Sequence, residues 1–194
     1  MLHAEKRTEK KRKARKRRII AICISLFLAI LVGTLLGQVI GSKIAQGSKV
    51  RPIAEDVPLV NVAMQEIGNE GGEKFWSWYD FDERVDWCAI FASWCEDQVG
   101  YLDEKKAPSF ALVSDGADWF LNQNQWIDAG GTPEAGDLIF FDWEGDGGRD
   151  HVGIVTSVIG NKVFTVEGNS SDRCRVKRYT IGDPVIYGYG HIDA

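Results

Sequence analysis

The sequence predicts an α+β domain whose helices pack on an antiparallel sheet. Apolar residues recur at helical spacing between residue 57 and about residue 124. After Pro133 the pattern changes to short runs of β-branched and aromatic residues that are divided by turn residues. Helices that come first, with a run of adjacent strands after them, are typical of α+β domains built on an antiparallel sheet.

Three segments of the first half are predicted to be helical. Residues 58–69 begin with Pro58, a residue that is permitted at the start of a helix. Residues 86–100 end at Gly100, a natural helix stop. Residues 114–124 open with Ser114, a good N-cap. The apolar faces of the first two segments consist of Leu59, Val60, Ala63, Met64 and Ile67, and of Trp87, Ile90, Phe91 and Trp94.

Five runs of the second half are predicted to be strands. A hairpin signal, Gly160-Asn161, joins the second run to the third. The runs are DLIFF at 137–141, HVGIVTSVI at 151–159, KVFTVEG at 162–168, RCRVKRYT at 173–180 and PVIYGYGHI at 184–192. Together with the helices they make residues 57–194 one domain.

The charge of the chain is strongly asymmetric. Residues 1–18 carry ten Lys and Arg and two Glu, whereas the rest carries thirteen basic and twenty-six acidic residues, a net charge of −13. Residues 19–42 carry no charge. At about 1.5 Å per residue these 24 residues would span roughly 36 Å as a helix, which exceeds a hydrocarbon core of about 30 Å. We therefore predict a single transmembrane signal anchor at 19–42, a stalk at 43–56, a cytoplasmic basic tail and an extracytoplasmic domain.

Three alternatives or additions apply to this N-terminal part. Cleavage after the apolar run, near AQGS at 45–48, would give a secreted protein, although the run is longer than a signal peptide needs. The basic tail could bind nucleic acid, but it adjoins the predicted span, and no nucleic-acid partner is expected. Self-association is possible through the small-residue row Gly33, Gly37 and Gly41, or these residues simply face lipid.

Four cysteines are present, at positions 23, 88, 95 and 174. No CxxC pair exists and the three histidines are scattered, so the pattern does not favour a structural zinc site. Outside the cytoplasm a Cys95–Cys174 disulfide is permitted but not required. Three cysteines in the domain leave at least one free thiol, which directs attention to Cys88.

Cys88 is predicted to lie in the first turn of its helix, with Asp86 as the N-cap. Unpaired backbone N–H groups and the helix dipole stabilise a thiolate at that position. His151 is the best-placed base, since it begins a predicted strand beside the loop EGDGGRD. On the KVFTVEGN strand the period of two puts Glu167 and Asn169 on one face, where both could reach an imidazole. Nucleophile, base and orienting group would form a catalytic triad.

Four blocks of the chain resemble the CHAP family (cysteine, histidine-dependent amidohydrolases/peptidases), bacterial cell-wall hydrolases with an NlpC-like, papain-like fold. The blocks are WCAIFASW, PEAGDLIFFDW, DHVGIVTSV and TVEGNSS, and the resemblance covers residues 61–190. It implies Cys88 as the nucleophile, His151 as the general base and Glu167 as the residue that orients the histidine. Asn169 would be an additional polar residue of the site.

The resemblance also implies the substrate, an amide bond of peptidoglycan. The residues Trp76, Trp78, Tyr79 and Trp87 would line a groove for a glycan-peptide strand, or they form an aromatic core beneath the helix. The loop DWEGDGGRD departs from a calcium-binding pattern at two positions, so Asp142, Glu144 and Asp146 are expected to form at most a weak calcium site, and no other cofactor is expected.

The function predicted from these features is that of a membrane-anchored peptidoglycan amidase or endopeptidase. Two alternatives remain, a catalytically inactive wall-binding or assembly protein and a cysteine peptidase that acts on proteins. A papain-like site does not by itself specify the substrate.

Overall fold

Helices precede strands in the computed structural model, which describes residues 56–193. The helices are α1 (Pro58–Gln65), α2 (Glu73–Trp76), α3 (Cys88–Gln98) and α4 (Val113–Asn122). The strands are β1 (Trp126–Asp128), β2 (Leu138–Phe141), β3 (His151–Ile159), β4 (Lys162–Glu167), β5 (Arg175–Thr180) and β6 (Ile186–Gly190). The predicted α+β class is confirmed.

All six strands of the described region form one antiparallel sheet in the order β1-β6-β2-β3-β4-β5. The predicted hairpin joins β3 to β4, with Ile159 opposite Lys162 and Gly160 at a φ of +59°. That backbone conformation favours glycine at the turn. The pairing of β2 with β3 sets Phe141 opposite His151, so the histidine lies at one end of the sheet.

The two faces of the sheet have separate apolar clusters. Val152 and Ile154 of β3 and Val166 of β4 face the helices, together with most of the core. The opposite face carries the cluster Ile139, Phe141, Val155, Val163, Ile186 and Tyr189. Because side chains alternate along a strand, His151 and Glu167 belong to this second face.

Helix α3 is buried on almost every side, and nine of its eleven residues, from Cys88 to Glu96, are buried. Its apolar residues therefore pack against helices on one side and against the sheet on the other. This central position holds the first turn of α3, and with it Cys88, rigidly beside the sheet.

Details of three helix ends differ from the prediction. Helix α3 has Trp87 rather than Asp86 at its N-cap, and α4 has Leu112 rather than Ser114, with no side-chain cap at either. Asp86 instead accepts a hydrogen bond from a side chain of another segment. Helix α1 ends at Gln65, so Ile67 lies beyond it and is 41% exposed. The three-residue strand β1 was not predicted, because so short a run carries no period.

Several predictions concern residues outside the described region. The basic tail at 1–18, the apolar run at 19–42, the glycine row within it and nearly all of the stalk at 43–56 lie there. Among residues 56–193, no helix has the length and apolar character needed to cross a membrane.

Candidate active site

Cys88 is the first residue of α3 and is 5% exposed. The preceding residue, Trp87, is fully buried, stacks on Phe75 at 5.4 Å and donates its Nε1–H to Asp172 Oδ1 at 3.3 Å. These contacts anchor the start of the helix. The first helical hydrogen bond runs from the Phe91 amide to the Trp87 carbonyl, so the amides of the first turn have no acceptor within the helix. The thiol therefore lies among free N–H groups at the positive end of the helix dipole.

His151 begins strand β3 and is almost completely buried. Its Nε2 lies 3.2 Å from Glu167 Oε2, and its ring also forms a side-chain hydrogen bond with Cys88. Since Nε2 contacts Glu167, Nδ1 is the nitrogen left to face the thiol. Burial lowers the pKa of His151, but the hydrogen bonds and charges of Cys88 and Glu167 outweigh it and raise the pKa to about 9. The imidazole is therefore protonated at neutral pH.

Glu167 ends strand β4 and is fully buried. Besides His151, its carboxylate accepts a hydrogen bond from the Thr165 hydroxyl at 2.7 Å to Oε1, and it also hydrogen-bonds to the Tyr179 hydroxyl. Burial and the charge of Glu167 raise the pKa of Tyr179 above its ordinary value of 10.0. Sequence reasoning missed Thr165 and Tyr179 as supports of this carboxylate. The alternation of β4 already put Thr165 on the same face, whereas Tyr179 is supplied by the neighbouring strand β5.

Asn169 lies past the end of β4 with a φ of +54°. This left-handed backbone conformation takes it out of the strand alternation. Its Nδ2 donates to Asp86 Oδ1 at 2.9 Å, which differs from the prediction that the amide reaches the imidazole. Asn169, Asp86 and Cys88 nevertheless line the same pocket.

The pocket in front of Cys88 and His151 has a volume of about 370 Å³. Trp143 forms part of its wall and stacks on the His151 ring, with 4.6 Å between centroids and 24° between planes. This indole covers the imidazole while its own side chain is 50% exposed. The remaining lining residues are Ala111, Leu112, Val113, Ser114, Arg149 and Asp150. Sequence analysis had not singled out Trp143 or Arg149, although both belong to the loop that leads into His151.

The aromatic residues predicted to bind substrate lie elsewhere. Trp87 is wholly inside the core, so its assignment to a substrate groove is wrong. Trp76, Trp78 and Tyr79 are half-buried and pack against the same core, and none of them lines the pocket of Cys88. Trp76 also donates its Nε1–H to the Gly71 carbonyl at 3.0 Å. Packing of the helices thus accounts for these aromatic residues.

The predicted calcium loop uses its carboxylates to organise its own backbone. Asp142 accepts hydrogen bonds from the amides of Gly145 at 2.7 Å and Gly147 at 2.9 Å. Asp150 accepts one from the Trp143 amide at 2.6 Å. Within residues 56–193, no three His, Cys, Asp or Glu side chains are grouped to hold a metal ion. Asp142, Glu144 and Asp146 therefore do not converge on one point.

Cys95 and Cys174 are both free and both buried, so the permitted disulfide between them is not formed in this structure. Burial raises the pKa of Cys95 well above 9.0 and, with the charge of Glu66, raises that of Cys174 to about 12. Neither thiol is therefore activated as a nucleophile at neutral pH. Among the three described cysteines, Cys88 alone contacts a histidine and lines the pocket.

Three solved structures are similar to this chain. The structure of Ly7917 matches with 17% identity and a TM-score of 0.47, over 70% of this chain and 61% of that chain. Ly7917 with the hydrolysing product of MDP matches with 16% identity and a TM-score of 0.48, over 70% and 62%. A protein similar to a lipoprotein of the NLP/P60 family, from Staphylococcus aureus subsp. aureus Mu50, matches with 16% identity and a TM-score of 0.41, over 75% and 44%. The chain thus spans about three fifths of the Ly7917 chains.

No curated protein matches the sequence. The family model of the CHAP domain matches residues 78–169, a range that contains Cys88, His151, Glu167 and Asn169 and lies within the predicted range 61–190. The resemblance of the sequence blocks to the CHAP family is thereby confirmed over residues 78–169.

Proposed function

We propose that the protein is a peptidoglycan hydrolase that cleaves an amide bond with Cys88 as nucleophile, His151 as base and Glu167 as orienting group. One observation carries the proposal: a cysteine in the first turn of a buried helix hydrogen-bonds to a histidine whose other nitrogen contacts a buried carboxylate at 3.2 Å. The match to the CHAP domain supports the substrate class. A nucleophile helix that packs against an antiparallel sheet also fits a papain-like fold.

In the proposed reaction His151 takes the proton of Cys88, and the pKa of about 9 favours the protonated imidazole at neutral pH. The Cys88 sulfur attacks the carbonyl carbon of the amide, and the free amides at the start of α3 donate to the developing oxyanion. His151 gives its proton to the leaving amine as the C–N bond breaks, which leaves a thioester on Cys88. Water then attacks the thioester, its proton passes through His151, and the carboxylic acid is released with the sulfur restored.

Glu167 and Asn169 have different tasks in this proposal. Glu167 holds the imidazole in one orientation and stabilises its charged form, as the orienting acid of a triad does. Asn169, held by Asp86, offers its amide group to the pocket on the Cys88 side. We therefore expect Asn169 to contact the bound substrate rather than the histidine.

The N-terminal features suggest where the reaction takes place. A basic tail followed by 24 uncharged residues supports a single-pass anchor with the catalytic domain outside the cytoplasm. The net charge of −13 beyond the tail gives no electrostatic attraction to anionic wall polymers. We propose that tethering to the membrane replaces affinity for the wall.

The test uses the full chain, purified in mild detergent and incubated with isolated peptidoglycan, with released fragments identified by mass spectrometry. We expect fragments that end at a newly hydrolysed amide, and their masses separate amidase from endopeptidase. Cys88→Ala should abolish their release without altering the melting temperature by more than about 1–2 °C, because the side chain changes by one atom. Cys95→Ala, two turns along the same helix and outside the pocket, is the matched control and should remain active.

Three results would contradict the proposal. Equal fragment release by wild type and Cys88→Ala would exclude Cys88 as the nucleophile. If the protein binds peptidoglycan but cleaves none of several chemical types of it, the inactive wall-binding protein would be favoured. If it cleaves only a protein substrate, the cysteine peptidase would be favoured.

A further inference from the structure

Arg149 supplies a fixed positive charge in the pocket that contains Cys88 and His151. Its guanidinium lies over the Tyr187 ring, 4.8 Å from the centroid, and its Nη2 donates to the Tyr187 hydroxyl at 3.2 Å. The same Nη2 forms an ion pair with Asp118 Oδ1 at 3.0 Å. The Arg149 side chain is only 19% exposed. These contacts from α4 and β6 hold the guanidinium in one place before any ligand binds.

Part of the hydrogen-bonding capacity of this guanidinium is unused. Both polar contacts of the guanidinium, with Tyr187 and with Asp118, involve Nη2. The Nε atom is buried without a partner, which is costly for a charged group. An arginine presents its donors as a rigid fork that matches the two oxygens of a carboxylate.

The acidic groups of the pocket do not neutralise Arg149. Asp150, the next residue, points its carboxylate at the amides of Trp143 and Glu144. Asp86 accepts a hydrogen bond from Asn169. Asp118, the one ion-pair partner in the described region, is itself 54% exposed and does not line the pocket. An exposed carboxylate is screened by water and balances the charge only weakly.

We propose that Arg149 binds a free carboxylate of the substrate next to the amide that Cys88 attacks. This inference rests on the proposed function and narrows its substrate class. The enzyme should prefer a stem peptide with a free carboxylate beside the scissile amide to the same peptide with a carboxamide at that position. Arg149 and Cys88 line one pocket, so a single bound peptide can contact both. Arg149 is thus a specificity-determining residue.

The experiment compares pairs of synthetic stem peptides in which each carboxylate is replaced, one at a time, by a carboxamide. Wild type should hydrolyse one free-carboxylate peptide with a kcat/KM about ten- to hundredfold above its amidated partner, the usual effect of losing a hydrogen-bonded charge pair. Arg149→Gln should remove this preference, mainly by raising KM for the free-carboxylate peptide. Arg178→Gln, at an exposed arginine on β5, is the matched control and should retain the preference.

A structural role for Arg149 predicts different results. If Arg149 only connects its loop to α4 through the ion pair with Asp118, Arg149→Gln would slow hydrolysis of both peptides equally. Asp118→Asn, which removes the same ion pair, would then have the same effect. Either result would overturn the inference. We expect Asp118→Asn to preserve the preference for the free carboxylate, because Arg149 keeps its charge and its contacts with Tyr187.

A binding measurement separates failure of the inference from failure of the proposed function. Calorimetry with Cys88→Ala should detect tighter binding of the free-carboxylate peptide, and Cys88→Ala/Arg149→Gln should bind both peptides equally. If wild type releases no fragments from isolated peptidoglycan, the proposed function fails, whereas the same binding preference would still support Arg149. Equal binding of both peptides to Cys88→Ala would overturn the inference.

Discussion

His151 illustrates how five side chains, in direct contact or through Glu167, determine the state of one residue. Cys88 and Glu167 contact its ring, and Trp143 stacks on it. Thr165 and Tyr179 donate to the same carboxylate from two neighbouring strands. Because the carboxylate has these further donors, its orientation toward His151 does not depend on a single bond.

The pH dependence of activity should follow the charge of His151. The folded pKa of about 9 lies above the ordinary 6.5, so kcat/KM should fall as pH rises through about 9, where the imidazolium loses its proton. For the same reason, the contribution of His151 to the free energy of unfolding is fully present below about pH 6.5 and is lost as the pH rises through about 9. Glu167→Gln should move the alkaline limb of the kcat/KM profile to lower pH, because a charge and an acceptor are removed.

The control for this prediction is Glu144→Gln, at an exposed residue of the neighbouring loop. It should leave the limb in place. An alkaline limb that stays at the same pH in Glu167→Gln would show that the carboxylate does not hold the imidazolium charge.

At the scale of elements, the spacing between α3 and the end of β4 is determined by a glycine. A Cβ at Gly168 would lie 2.5 Å from Phe91 Cβ and 2.6 Å from Phe91 Cγ. These atoms belong to the fixed part of a core side chain, so they have no room to move. The close approach brings the helix of Cys88 next to the strand of Glu167.

Gly168→Ala should therefore separate the two elements and disturb the contact between Cys88 and His151. We expect a loss of about 1–3 kcal/mol in unfolding free energy, as overpacking of a core usually costs. The kcat at a temperature where the variant is folded should also fall. Gly130→Ala is the control, since a Cβ there meets nothing within 4 Å. Equal urea midpoints for the two variants would contradict this interpretation.

For the whole molecule, Glu96 is a buried group that the proposed chemistry does not use. It lies on α3, is fully buried, and neither carboxylate oxygen has a hydrogen-bond partner in the described region. Burial raises its pKa well above 4.5. Above about pH 4.5 the folded state thus retains a proton that the unfolded chain has released. Folding therefore becomes less favourable as the pH rises through that value.

Glu96→Met should stabilise the protein by about 1–3 kcal/mol near pH 7, because an unsatisfied buried polar group is replaced by an apolar one of similar size. The gain should shrink toward pH 4.5. Chemical unfolding at several pH values measures both effects. Glu83→Met, at an exposed glutamate, should change little at any pH. A destabilised Glu96→Met variant would indicate that the carboxylate has a structural task.

The sequence by itself determined the α+β class, strands β2–β6, the start of α3 near Cys88, and the placement of His151 and Glu167 on strands. Each of these follows from a local property, namely the period of apolar residues, the position of turn residues or the blocks shared with the CHAP family. Such properties lie within a few consecutive residues, so they can be recognised without knowledge of the packing.

Only the tertiary structure decided what depends on residues distant in sequence. Trp87 is a core residue because α2 covers it, and Asn169 contacts Asp86 because the chain leaves β4 in a left-handed conformation. Arg149 and Trp143 enter the pocket because α4, β6 and His151 come together around their loop. The physical reason is that burial and hydrogen-bond partners arise from the packing of elements, which no local pattern contains.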